Sequence, residues 1–220
     1  METMETEDFI RIEKAKATSF NLMTALLCQP TEELISNANF FENLKTSFKI
    51  VSPECVKNVE QMQLALKKYS QLNLLVEYTK LFIGPFKTLV PPYSSLYFGG
   101  NSLMSEETVW VINFYEKVGL SFDLKAIKDA PDHVAVETEF LYYLIFSEIE
   151  EYEAGNMDNA LYLWNSQREF FLKHYKQWLP KFSKKILENT NNDYYKALAA
   201  CIDKFVSSVS IPEFPAIVAN

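Results

Sequence analysis

A chain of 220 residues, 48% of them apolar, is long enough to bury a full core as one domain or as two closely packed lobes. Its formal net charge of −8 argues against a nucleic-acid binder, which needs a basic face to displace counterions from phosphates, and makes a basic partner the better match. Only five glycines beside abundant Leu, Lys, Glu, Ala and Phe favour helices over strands, so the composition predicts an all-α fold.

Cys28, Cys55 and Cys201 are widely separated, odd in number and form no Cys-x-x-Cys pair, which fits a reducing compartment and three packed thiols. The opening METMETEDF is acidic and lacks an apolar run, so no secretory signal is read there. No later apolar stretch reaches membrane-spanning length. The expected setting is the cytoplasm, without stable membrane insertion.

In chain order, residues 8–28 carry Phe9, Ile12, Phe20, Met23, Leu26 and Leu27 at helical spacing and stop before Pro30, which predicts the first helix. Thr31 before Glu32 and Glu33 caps a short helix to about residue 37, and residues 40–48 suggest another. Pro53 starts a long helical pattern that reaches Gly84-Pro85, with a break at Ser70. Residues 84–100, GPFKTLVPPYSSLYFGG, have no helical period; Phe86, Tyr93, Tyr97 and Phe98 there either pack over the core or line a groove. A helix then starts at Ser102 or Ser105 and is closed by Gly119. After the central helix described next, Asn156 or Asp158 caps a helix that runs through Trp164 and Trp178 to Pro180. Short helices over 182–187 and 193–209 follow, and a proline-broken tail ends the chain.

Residues 129–152, DAPDHVAVETEFLYYLIFSEIEEY, organise the rest. Pro131 pushes Ala130 away from helical angles, so the helix begins at Pro131 or at Asp132 acting as its cap. Apolar residues cover most of its circumference, which predicts burial on several sides. Four polar groups interrupt it: Asp132, His133, Glu137 and Glu139. His133 and Glu137, four apart, share one face, while Glu139 lies on another side near Tyr142 and Tyr143. Spacing alone favours a structural account: Asp132 caps, His133 fills a semi-buried corner, and the glutamates reach solvent or neighbouring helices.

Motifs for catalysis and metal binding are sparse. Two histidines cannot supply the paired Glu-x-x-His helices of a di-iron bundle, and there is no His-Glu-x-x-His, Gly-x-Ser-x-Gly or phosphate-binding glycine loop. No metal and no cofactor are expected, and His174, among Lys173, Lys176 and aromatics, is expected to be a partly exposed helix histidine. Asp132, His133 and Glu137 could still serve as an acid–base group.

Two blocks carry a sharper signal. Residues 77–99, EYTKLFIGPFKTLVPPYSSLYFG, hold a Tyr-Thr-x-Leu-Phe-x-Gly-Pro run and a Pro-Pro-Tyr-x-Ser-x-Tyr run, and residues 130–144 hold Pro-Asp-His-x-Ala-x-Glu-x-Glu-Phe-Leu. In this order they resemble the TorD/DmsD/NarJ family of molybdoenzyme maturation chaperones. Members of that family are all-helical, catalyse no reaction of their own and bind the N-terminal leader of a molybdopterin oxidoreductase subunit, often one with a twin-arginine export signal. The resemblance implies a leader site at Asp132, His133, Glu137 and Glu139 with Pro91, Pro92, Tyr93 and Tyr97 from the loop. Ser94 stands where family members commonly carry Glu, so arginine recognition would lean on the helix carboxylates. A basic, partly apolar leader is complemented by an acidic-edged groove with aromatic walls.

The resulting expectation is an all-α, TorD-like bundle of about ten helices. It forms a single chaperone domain over residues 1–220, divisible into lobes at 1–120 and 130–220. It is a cytoplasmic, non-enzymatic chaperone, monomeric or a domain-swapped dimer, whose partners are the leader and the apo catalytic subunit. Two alternatives stay open: a small helical hydrolase using Asp132, His133 and Glu137, and a generic helical peptide-binding adaptor.

Overall fold

The computed structural model describes residues 2–84, 88–99, 105–121 and 129–215. Helix α1 spans Glu2–Leu27, α2 Glu32–Ser36 and α3 Ala38–Val51. Thr31 caps α2 by accepting the Leu34 N–H on its hydroxyl, and the Asn37 side-chain carbonyl accepts the Phe40 N–H at the start of α3. A 3₁₀ turn at Pro53–Cys55 leads into α4, Val56–Ala65. The long apolar pattern breaks at Ser70, whose hydroxyl accepts the Asn73 N–H while the Asn73 side chain accepts the Ser70 N–H; this capping box starts α5, Gln71–Tyr78. A π-helical segment, Thr79–Ile83, extends α5 and ends at Gly84, whose φ of 67° suits glycine.

The remaining helices are α6 Glu106–Lys117, α7 Val134–Glu153, α8 Met157–Phe170, α9 Lys176–Asn189 and α10 Asp193–Ser208. Of the two proposed starts for α6, Ser105 is its N-cap, and Ser102 lies outside the described residues. Pro180 does not end a helix, as the sequence suggested. A π-helical segment at Phe171–Tyr175 joins α8 to α9, and Pro180 lies inside α9 just beyond it. The wide turn has already displaced the hydrogen-bond ladder there, and the Gln177 side chain donates to the Leu172 carbonyl at 2.8 Å, so a missing N–H in the next turn is tolerated. The short helix expected over 182–187 is the end of α9.

Helix α7 is the hub. It packs on α1 along one side and on α8 along another, α1 also meets α3, and α10 lies against α9 and α4. Leu141, Leu144, Ile145 and Ile149 of α7 join a continuous cluster that includes Phe20 and Met23 of α1, Phe170 of α8, Trp178 of α9 and Phe205 of α10. Each such side chain, fully buried, contributes about 1.5–3 kcal/mol. Phe20 meets Phe171, Tyr175 and Phe205 edge to face at centroid distances of 6.3, 6.1 and 5.1 Å. Among the described residues there is no β-strand, only one isolated antiparallel bridge, Tyr93 with His133. Cys55 and Cys201 are buried thiols, but Cys28 is exposed at the end of α1, contrary to the expectation of three packed thiols.

Candidate functional site

The bridge brings the two motif blocks together. Val134 donates its N–H to the Pro92 carbonyl at 2.8 Å, and Ser94 donates to the Asp132 carbonyl at 2.9 Å. Asp132 Oδ2 then accepts the Ser95 N–H at 3.2 Å, and the Tyr115 hydroxyl of α6 donates to the Pro131 carbonyl at 2.8 Å. Each bond is worth about 0.5–1.5 kcal/mol net, and together they hold the turn at residues 131–132 and an extended His133 against the loop. The helix start therefore differs from the expected one. His133, not Pro131 or Asp132, is the N-cap of α7, and its Nδ1 accepts the Ala135 N–H at 3.2 Å.

That bond fixes the chemistry of His133. An accepting Nδ1 is unprotonated, so the neutral ring carries its proton on Nε2. Burial lowers the pKa of His133, with Asp129 and Asp132 opposing, which agrees with a neutral ring. Tyr93 meets this ring edge to face at 5.4 Å. His133 sits in a buried corner, as the structural account expected, and α7 begins only after it.

Glu137 does not pair with His133. Its Oε1 lies 2.9 Å from His174 Nε2 and its Oε2 accepts the Trp178 Nε1–H at 2.9 Å. His174 Nδ1 in turn lies 3.1 Å from Glu107 Oε1 of α6. The expectation of a partly exposed His174 is wrong: only 1% of its side chain is exposed. The π-helical segment turns it inward, between Phe98 and Trp110, which stack on it at 5.2 and 4.9 Å. Both oxygens of Glu137 are thus engaged by His174 and Trp178. Asp132 binds a loop N–H and His133 caps a helix, so the three residues do not form the acid–base group that a hydrolase reading required.

Among the predicted site residues, Asp132 and Glu137 have no exposed surface. Pro92 and His133 are also buried, while Pro91, Tyr93 and Tyr97 are half-buried and Glu139 is exposed. The Tyr97 hydroxyl donates to the Pro91 carbonyl at 2.9 Å, curling the loop on itself. The loop aromatics do both things that the sequence left open. Tyr97 packs on Trp178 at 5.4 Å, yet it keeps an outer surface. Two cations border that surface: Lys185 lies 5.5 Å from the Tyr97 ring centre and Lys181 lies 5.6 Å from that of Phe98. Phe86 lies outside the described residues.

Sequence reasoning missed His174, Trp178, Glu107 and Ser95 as partners of the predicted residues. His174 is 37 positions from Glu137, and no local pattern links them. The one available signal was the aromatic density around it. Among the described residues no group of three or more His, Cys, Asp or Glu side chains could hold a metal ion, and no helix is long and apolar enough to cross a membrane.

Comparison with known proteins gives the frame for this geometry. The family model of the nitrate reductase delta subunit matches residues 51–184, more than half of the chain, and includes both motif blocks and His174. The chaperone protein TorD of Vibrio parahaemolyticus is 27% identical over 139 residues, and the match spans 62% of each chain, so this chain covers about three fifths of that relative's length. TorD of Photobacterium profundum is 24% identical over 199 residues, covering 87% of this chain and 90% of the relative. A Tat proofreading chaperone, DmsD of Haemophilus influenzae, is 26% identical over 151 residues, 66% of this chain and 64% of that one. A crystal structure described as a redox enzyme maturation protein from Archaeoglobus fulgidus superposes with a TM-score of 0.57 at 22% identity, covering 87% of this chain and 94% of that one; it shows the shared fold. The helix hub, the clamped Pro-Pro-Tyr loop and the matched span together place this chain in the nitrate reductase delta subunit family, the group of TorD- and NarJ-type maturation chaperones.

Proposed function

We propose that the chain is a cytoplasmic chaperone that binds the N-terminal, twin-arginine type leader and the apo form of a molybdopterin oxidoreductase subunit. It works as a single all-helical unit and acts by occupancy, holding the client until cofactor insertion is complete and then releasing it for export or assembly. The observation that carries this reading is the clamp between Tyr93 and His133, which sets a half-buried aromatic loop over the start of the hub helix. The surface it creates has aromatic walls at Tyr93 and Tyr97, a form suited to the apolar part of such a peptide, and Glu139, exposed on α7, is the carboxylate we assign to its basic part. Pro91 and Pro92 shape the loop. Asp132, His133 and Glu137 serve the site from beneath, by fixing the loop backbone, capping α7 and anchoring His174.

The test is calorimetry with a synthetic leader peptide and the Tyr93→Ala and Glu139→Gln variants, with thermal melts beside it. Tyr93→Ala is expected to weaken binding by roughly tenfold or more, and Glu139→Gln by a smaller factor, with melting little changed in the second. Full affinity in both variants would move the leader site away from this face.

A further inference from the structure

Two of the three thiols meet in the core, and leader binding uses neither. Cys55 closes the 3₁₀ turn that precedes α4, Cys201 lies in α10, and both are fully buried where α4 packs on α10. Cys55 Sγ donates to the Cys201 carbonyl at 3.6 Å, and the two thiols are themselves in hydrogen-bond contact. The buried Ser52 hydroxyl stands 3.1 Å from Cys55 Sγ and 2.6 Å from the hydroxyl of Ser208, which is partly exposed. Two hydroxyls therefore connect the buried sulfur to the edge of the core. A thiol that only fills space needs no such company. The contacts also make the sulfurs unequal. Donation from the Cys201 thiol, with burial opposing and the Ser52 hydroxyl assisting, lowers the pKa of Cys55, while the same contact and burial raise that of Cys201. Of the nearby charges, Lys204 favours the Cys55 thiolate and Glu54 opposes it. Cys28 differs: partial burial of its sulfur, and then the carboxylates of Asp129 and Glu139, push its thiol up.

We propose that Cys55 and Cys201 are a peroxide-reactive pair, in which Cys55 is the attacking sulfur, Cys201 the resolving thiol, and the product a disulfide that ties the start of α4 to α10. Cys55 first loses its proton along the Ser52 and Ser208 hydroxyls, and the Ser52 hydroxyl and the Cys201 thiol turn to donate to the thiolate. The thiolate attacks one oxygen of hydrogen peroxide. An S–O bond forms, the O–O bond breaks, and the departing hydroxide takes up a proton to become water. The Cys201 sulfur then attacks the sulfenic sulfur of Cys55; the S–O bond breaks, and the hydroxide leaves as water with the Cys201 proton. Two thiols are oxidised to one disulfide, and one peroxide is reduced to two waters. The oxidant has to be small, because both side chains are sealed from solvent and a bulky disulfide finds no sulfur to meet. In a reducing compartment such a pair rests as the dithiol and forms its bond only transiently, as a redox-sensing disulfide does. Its reactivity does not depend on leader binding.

The reduced full chain is treated with hydrogen peroxide and followed by intact mass and by peptide mapping under non-reducing conditions. The expected product has lost two hydrogens, about 2 Da, yields a peptide pair linked through Cys55 and Cys201, and returns to the dithiol with dithiothreitol. Cys201→Ala should stop at the sulfenic acid, captured by dimedone on Cys55, and Cys55→Ala should slow oxidation of Cys201 by roughly tenfold or more. The pH profile separates chemistry from packing: Ser52→Ala should move the midpoint of the oxidation rate upward, because the thiolate loses a donor. The measurement on the parent chain requires no variant to fold. Absence of the linked peptides at a peroxide dose that fully oxidises Cys28, or their appearance only after denaturation, overturns the proposal. Dimedone captured by Cys201 of the parent chain in place of Cys55 overturns the assignment of the attacking sulfur.

Discussion

His174 Nε2 stands 2.9 Å from Oε1 of Glu137, and both side chains are almost wholly buried. Because Nδ1 also faces a carboxylate, that of Glu107, only the doubly protonated ring satisfies both contacts. Burial opposes the charge on His174, but the two glutamates overcome it and raise its pKa above the ordinary 6.5. A raised histidine contributes stability that is fully present below about pH 6.5 and is lost as pH rises through the folded value. Removing one partner of such a pair costs about 3–5 kcal/mol. Denaturant unfolding of the parent and His174→Gln should therefore differ most near pH 6, with the gap narrowing at higher pH. Parallel profiles would mean that the ring is neutral.

A second buried cluster gives an opposite result on substitution. Glu13 and Lys16 of α1 form an ion pair, Gln167 of α8 donates to Glu13 at 3.2 Å and to Glu148 of α7, and Glu148 Oε1 has no partner. Burial, and then the neighbouring Glu13 carboxylate, push the Glu148 pKa up to about 9. A carboxyl raised in this way binds its proton more tightly folded than unfolded, so stability falls as pH rises from about 4.5 to about 9. Glu148→Gln keeps the shape and supplies a donor towards Glu13 without that proton. It should be more stable than the parent at pH 8 by about 1–3 kcal/mol and show a flatter pH profile. Destabilisation at pH 8 would show that Glu148 is ionised and needed.

The difference between these two clusters explains what the sequence revealed. Helix existence was legible almost throughout because it depends on local spacing and caps: Thr31, Ser70 and Asn156 each stand where a start was expected or allowed. Ends governed by tertiary contacts were not. Pro180 reads as a stop, yet the π turn before it carries the helix on, and α7 starts only at Val134 because the hydrogen bonds to the loop hold the 131–132 turn and an extended His133 outside it. At the site, the two motif blocks do meet, because the loop folds back onto the helix start and bridges Tyr93 to His133. The pairing was misread because helical spacing joins His133 to Glu137, whereas His133 lies outside the helix and the true partner comes from residue 174.

Asp132 separates direct contact from positioning. Its carboxylate is buried and accepts one loop N–H, so Asp132→Ala leaves that donor unpaired and should cost about 1–3 kcal/mol, while Asp132→Asn retains an acceptor and should cost less than about 1 kcal/mol. Leader affinity of the Asn variant should change by less than about threefold. Calorimetry beside thermal melts reads both. A loss of tenfold or more with an unchanged melt would put the carboxylate in contact with the leader, and the loop would have to open for it.

Salt tests the electrostatic part of leader binding. Glu106 and Glu107 beside the loop are exposed or partly exposed, as is Glu139 on α7, with Lys181 and Lys185 beside the aromatic rings, so a basic peptide meets both attraction and repulsion there. At 0.1 M ionic strength the screening length is about 10 Å, short enough to weaken contacts among exposed charges, while burial of apolar leader residues against Tyr93 and Tyr97 persists. Affinity for a leader peptide should therefore fall as salt rises from 0.05 to about 0.5 M and level off above zero. The same titration on a Lys181→Gln, Lys185→Gln double variant should give tighter binding at low salt, because the opposing charges are gone. Salt-independent binding would remove the charge contacts from the model, and complete loss at high salt would remove the apolar ones.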